Sequence, residues 1–216
     1  MRSAGGARAK PALGLTLGLT LGLTLRLTIA LASGLTGCVI PDRDAAREVL
    51  DEETGTTVTA MGSSLEFYSP RPELGLQAAS FAHVGAFESN RMGVRRLMLW
   101  LSVLPGGATD QQVSTSDQPR GLTVIADGAE IQPRPAGNDA RELGLGGPPL
   151  KRPAEWARDA YFDVTLDELR RVAGAASLAL AVTNADGSVQ RYEAWKPERA
   201  SLARFIETLA REPPVR

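Results

Sequence analysis

Val94-Arg95-Arg96-Leu97-Met98-Leu99-Trp100-Leu101-Ser102-Val103 is the run that decides the fold class. Successive side chains of a strand point to opposite sides, so Leu97, Leu99, Leu101 and Val103 share one face while Val94, Met98 and Trp100 share the other. A strand apolar on both sides belongs in the middle of a packed structure. Ahead of it, Asn90-Arg91-Met92-Gly93 reads as a turn, because Asn and Gly tolerate positive φ. Before that turn, 79–88 reads as a strand with Phe81, His83 and Phe87 on one side and Ala82, Val84 and Ala86 on the other. Pro105-Gly106-Gly107 ends the central run, and the polar stretch 105–120 reads as a loop.

Working outward, the β-branched run 56–61 predicts a strand, and 64–68 continues after Gly62 as a hairpin partner or as the same strand bent. Asp127-Gly128 between 122–126 and 129–132 predicts a small hairpin. In 157–164, Ala160, Phe162 and Val164 are expected inward and Asp159, Tyr161 and Asp163 outward. Thr165 and Glu168 form a capping box that opens a short helix, with Gly174 as its positive-φ close. A hairpin over 177–183 and 188–195 turns at Asn184-Ala185-Asp186-Gly187. Pro197 begins a final helix to Arg211, striped by Leu202, Phe205, Ile206 and Leu209. The expected fold is mainly β: an antiparallel sandwich or partly closed barrel of about eight strands with a short crossover helix and a C-terminal helix. An α+β sheet with its helices on one face is the alternative. Between Pro133 and Pro153, nine of 21 residues are Pro or Gly. Such a stretch is expected to hold no regular ladder and to be a surface excursion.

The 216 residues carry 24 Lys+Arg and 25 Asp+Glu, a formal net charge of -1, with one His and one Cys. Residues 1–37 hold Arg2, Arg8, Lys10 and Arg26 and no acid, so the remainder has 20 basic and 25 acidic groups, a net of -5. That sign gives no general attraction to nucleic acid. A single Cys excludes an internal disulfide and a Cys-clustered zinc or iron–sulfur site. Six acids and two arginines in 39–55, with Ala45, Ala46, Val49 and Leu50 at helical spacing, predict a solvated tether. The expected organisation is a leader over 1–37, a tether over 38–55 and one β-rich domain over 56–216.

The leader has a basic start, a Leu-Gly-Leu-Thr repeat and a small-residue ending, the pattern of a secretory signal. Its last residues, Leu35-Thr36-Gly37-Cys38, resemble the lipobox of bacterial lipoproteins. The resemblance implies cleavage between Gly37 and Cys38, a diacylglyceryl group on the Cys38 sulfur and acylation of the new amine. Anchoring by several chains is durable, since each buried methylene adds roughly 0.8 kcal/mol. Val39, where Asp would favour the inner membrane, implies the outer membrane facing the periplasm. The partner so implied is the lipid bilayer. An uncleaved span over 13–37 is the competing reading, opposed by Arg26 near its middle, where insertion scales charge about +2.5 to +3.5 kcal/mol. The stretch 79–103 resembles uncharacterised envelope lipoproteins, a likeness that implies no activity.

Little in the chain carries chemistry. His83 is the only His, and neither Gly-x-Ser-x-Gly nor Ser-x-x-Lys accompanies it, so no catalytic residue is assigned. Asn184, Asp186, Ser188 and Glu193 fall near the spacing of a calcium loop, but Val182 replaces its first acid and the flanks read as strands, so no metal is expected. Gly144-Leu145-Gly146-Gly147 is no phosphate cradle, and no cofactor is expected. Arg91, Arg95 and Arg96 form the one basic knot and, with Trp156 beside the Pro-rich stretch, are the candidate contacts for an envelope protein or glycan. The leading expectation is a non-enzymatic envelope module. A hydrolase would need a cleft gathering carboxylates, with Tyr161 or His83, and a small-ligand carrier would need a large interior cavity.

Overall fold

The computed structural model describes residues 42–72, 78–106, 115–196 and 199–211, and the leader and Cys38 lie outside them. Asp42–Arg216 form one compact unit, and all described residues belong to it. Its strands are β1 (Arg47–Asp51), β2 (Thr56–Ala60), β3 (Leu65–Pro70), β4 (Ala79–Arg91), β5 (Val94–Leu104), β6 (Pro119–Ala126), β7 (Ala129–Ile131), β8 (Arg134–Gly137), β9 (Arg158–Asp163), β10 (Leu178–Asn184) and β11 (Val189–Ala194). Helix α1 (Leu166–Gly174) crosses from β9 to β10, and α2 (Ala200–Arg211) follows β11. The strands make one antiparallel sheet in the order β7-β6-β10-β11-β3-β4-β5-β9-β8, with β1 and β2 as a branch on β4. It curls until β6 comes near β9 and β8, giving a half-barrel. The fold is therefore mainly β with a short crossover helix and a C-terminal helix.

The central run is β5, paired with β4 from Phe81↔Leu104 to Arg91↔Val94 and with β9 from Met98↔Asp163 to Val103↔Arg158. Its two apolar faces serve two cores. Leu99, Leu101 and Val103 join Ala82, Val84, Ala86, Ala160 and Phe162 on the face that the curl wraps. Leu169 and Val172 of α1 and Leu202 and Phe205 of α2 pack there too. Burying each large apolar side chain stabilises by roughly 1.5–3 kcal/mol. The void between Val124, Leu180 and the two helices is about 10 Å³, room for at most one water. On the other face Met98 and Trp100 meet Phe87, Tyr161 and Ala60 in a smaller core, under Ala140 and Leu145.

Several expectations change. The segment 38–55 is not simply a tether: the folded unit begins at Asp42, and Arg47, Val49 and Asp51 pair with Ala60, Val58 and Thr56 across a turn in which Gly55 has φ +64°. Cross-strand pairing outweighs the helical spacing of a segment too short for a stable helix alone. Of the two readings of 56–61 and 64–68, hairpin partner or bent strand, the bent strand is the one present. β2 and β3 run in succession along β4, with Met61 N–H donating to Ala86 O (3.0 Å) and Leu65 opposite Val84, so Gly62, Ser63 and Ser64 bulge opposite Gly85. The bulge needs Gly62, because a Cβ there would run into the carbonyl oxygens of Arg43 and Ala45. The Pro- and Gly-rich stretch does hold a ladder: β8 pairs with β9, accommodating Pro135 at the sheet edge and shifting register before Gly137. Tyr161 is buried rather than outward, because that stretch covers its face. The capping box at Thr165 and Glu168 is present, but Gly174 stays inside α1 and Ala175 (φ -68°) caps it in extended conformation. Asn184–Gly187 closes a plain hairpin, with the Asp186 carboxylate accepting from Ser188 N–H at 2.8 Å.

Candidate functional site

Two depressions flank the segment Gly146-Gly147-Pro148, which lines both. On one side is a groove of about 630 Å³, floored by Val49, Val58 and Ala60 and walled by Pro148, Pro149 and Leu150. Asp51 accepts from Gly146 N–H, which ties this wall to β1 and holds the Asp51 carboxyl below its ordinary value. Leu150 lies over Gly85, where a Cβ would approach it to 2.7 Å. On the other side is a polar cleft of about 380 Å³. That is within the range of small-ligand sites.

The cleft is built from two segments brought together by β8–β9 pairing. Asn138, Asp139 and Arg141 come from the turn after β8, and Arg152, Ala157, Arg158, Asp159 and Tyr161 from β9 and the chain leading into it. Gln118 reaches in from the start of β6, and its Nε2 donates to Asp159 O at 2.7 Å. Arg152 Nε lies 3.0 Å from Asp159 Oδ2, and its guanidinium donates to Ala157 O. Burial pushes the Asp159 carboxyl above its ordinary value, while Ser102, Arg152 and Trp100 work in the opposite direction. Burial also raises the Tyr161 phenol, helped by the charges of Asp159 and Asp139. Trp100 Nε1, Ser102 Oγ and Asp159 Oδ1 are buried without a hydrogen bond of normal geometry. Buried groups of this kind are costly unless matched. Asp159 is thus the acceptor that the Trp100 and Ser102 donors crowd around at the wall of the cleft.

One row of the sheet bears on catalysis. Glu66↔His83, His83↔Ser102 and Ser102↔Asp159 are direct cross-strand pairs, so all four residues lie on one face. A Ser–His–acid relay needs the His between the other two. In this row His83 does stand between Glu66 and Ser102, but its Nδ1 pairs with Ser64 Oγ at 3.3 Å, and Ser102 is fully buried beside Asp159. Burial lowers the His83 pKa, opposed by the charge of Glu66. The row therefore presents no exposed hydroxyl at Ser102. Among the described residues no three metal-binding side chains converge.

The basic knot does not hold together. Arg95 bonds Glu88 (2.7 Å) on one face of the sheet, whereas Arg96 bonds Asp163 (2.8 Å) on the other, where Arg134 shares the carboxylate at 2.8 Å. Burial works against the Asp163 charge, yet bonds from Arg134 and Arg96 hold its pKa below the ordinary value. Arg91 lies against Gly144, its guanidinium 3.0 Å from where a Cβ would stand. Trp156 is 37 % exposed and immediately precedes Ala157 of the cleft. Trp195, 54 % exposed, packs edge-on with Tyr68 and Phe81 at centroid distances of 5.1 and 6.2 Å, while Trp100 is buried.

Sequence reasoning missed Gln118, Asn138, Asp139, Arg141 and Arg152. The available signal was the length of the stretch 133–153, since long irregular loops in compact domains are functional or disordered. No family model, curated protein or solved structure matches the chain. Among the described residues no helix is long and apolar enough to cross a membrane.

Proposed function

We propose that this chain is a membrane-anchored envelope lipoprotein whose β domain is a non-enzymatic binding module, with the polar cleft as its ligand contact and a carbohydrate as the ligand. The anchor rests on the lipobox-like Leu35-Thr36-Gly37-Cys38, cut before Cys38 and lipidated there. Val39 favours the outer membrane, with the domain in the periplasm. The folded unit starting at Asp42 supports a short link between bilayer and domain.

The observation that carries the ligand assignment is the side-chain chemistry of the cleft. Asn138, Asp139, Arg141, Arg152, Arg158, Asp159 and Gln118 are planar groups offering both donors and acceptors. Neighbouring hydroxyls, each donor and acceptor at once, match such groups in pairs, and exposed Trp156 beside Ala157 offers the apolar face that a sugar ring needs. The test is cosedimentation of the purified protein with insoluble cell-wall glycan. The parent should pellet with the glycan, and Arg141→Ala and Trp156→Ala should leave it in the supernatant with folding intact by circular dichroism. A parent that stays soluble, or variants that pellet equally, refutes the assignment.

A second reading has one observation in its favour. Asp139 and Asp159 share the cleft with Tyr161, and burial raises the Asp159 carboxyl, the direction a general acid requires. Release of reducing ends from the same glycan, abolished by Asp159→Asn, would replace binding with hydrolysis.

A further inference from the structure

Three strands of the described sheet, β7, β8 and β1, pair with a strand on one side and not on the other. Unpaired edges template the addition of another strand unless they are short, interrupted or charged against it. β7 has three residues, and β8 is broken by Pro135 and a register shift. β1 has neither protection. Its five residues hold an unbroken register against β2, contain no Pro or Gly, and leave Val49 60 % and Leu50 59 % exposed.

The remaining protection would be charge, and here the charges are self-complementary. In Arg47-Glu48-Val49-Leu50-Asp51, antiparallel pairing of two copies about Val49 sets Val49 against Val49 and each Arg47 against the other chain's Asp51. Opposite charges directly across a ladder attract. Parallel pairing in register instead stacks Arg47 on Arg47 and Asp51 on Asp51. A slip of one residue turns the side chains to opposite faces and breaks the match. The Asp51 carboxylate accepts from Gly146 N–H and Glu53 N–H of its own chain, which holds its charge at the end of β1.

We propose that β1 is a homodimerisation edge, pairing antiparallel with β1 of a second copy about Val49. The two-fold axis then runs perpendicular to the local sheet, so the two 630 Å³ grooves open on the same side and adjoin. A contact of one short strand per chain buries less than the ~1,200 Å² of a durable complex. It forms where copies are concentrated, and confinement to one membrane supplies that concentration.

The test is oxidative crosslinking of the full chain in its own membrane, read on non-reducing gels, with the parent, whose one Cys is Cys38, as background. Val49→Cys should give a dimer band, because paired residues bring Cβ atoms to about 4.5–5.5 Å. Glu48→Cys and Leu50→Cys should crosslink to each other when coexpressed but not each to itself. Val189→Cys, exposed by 62 % on β11, should stay at background. In the Val49→Cys chain, Arg47→Asp alone and Asp51→Arg alone should each lose the band. Coexpressing the two charge variants should restore it, which also shows that both fold. Crosslinking of Val49→Cys no stronger than Val189→Cys, equal crosslinking at positions 48, 49 and 50, or no rescue on coexpression each overturns the proposal.

Discussion

Leu145→Ala tests whether the stretch 133–153 is a structural cover. Leu145 is 1 % exposed and lies in the smaller core with Trp100, Tyr161 and Phe87. Truncating a leucine at such a site loses transfer free energy and leaves a cavity, costing about 2.7–5 kcal/mol. The covering chain is irregular and can partly collapse, so the lower end, about 3 kcal/mol, is expected. For a domain of this size each kcal/mol moves the melting temperature by roughly 2–4 °C, giving a drop of about 6–12 °C. The domain should still fold, because total stability is typically about 5–15 kcal/mol. Calorimetry measures the shift. In a Trp156→Phe, Trp195→Phe background, Trp100 is the remaining tryptophan, and acrylamide should quench it more in the Leu145→Ala form. If the stretch were an excursion with no packing role, the change would stay within about 0.5 kcal/mol and quenching would not rise. That result would refute the second core.

Three further outcomes follow from single residues. Gly62→Ala places a Cβ on the backbone of 43–45, so the 42–46 segment must move, and trypsin should cut after Arg43 faster than in the parent, as peptide mass mapping will show. Thr165→Ala removes the hydroxyl that accepts from Glu168 N–H, and thermal unfolding should show a loss of about 1 kcal/mol. Burial raises the Asp159 carboxyl in the folded state, so the native protein binds more protons than the unfolded chain above 3.8. The stability from this group is complete below 3.8 and is lost as pH rises through the folded value. Urea unfolding across that window should show the parent losing stability relative to Asp159→Asn; a flat difference contradicts the buried acid.

What the sequence discloses and what it hides follow from the range of the interactions. The two faces of 94–103 are legible because alternation is local, and Leu99 and Trp100 enter different cores accordingly. The Asp127-Gly128 turn is legible for the same reason, both residues taking positive φ (50° and 82°). β1 is not, because Ala45, Ala46, Val49 and Leu50 fit a helix as well as a strand and the partner β2 decides. Tyr161 reads as outward on the alternation of β9, and a segment about twenty residues away in sequence overrules it by covering that face. The cleft is hidden most deeply: Asn138, Arg152 and Gln118 meet only once β6, β8 and β9 are in place, and no spacing announces them.

Attachment to a bilayer through Cys38 is the claim on which the rest of the account depends, and the intact mass of the protein purified from its own membrane tests it most directly. The account requires a chain beginning at Cys38 and heavier than residues 38–216 by a diacylglyceryl group and an amide-linked acyl chain. A chain that retains residues 1–37, or one that begins at Cys38 with an unmodified thiol, contradicts it.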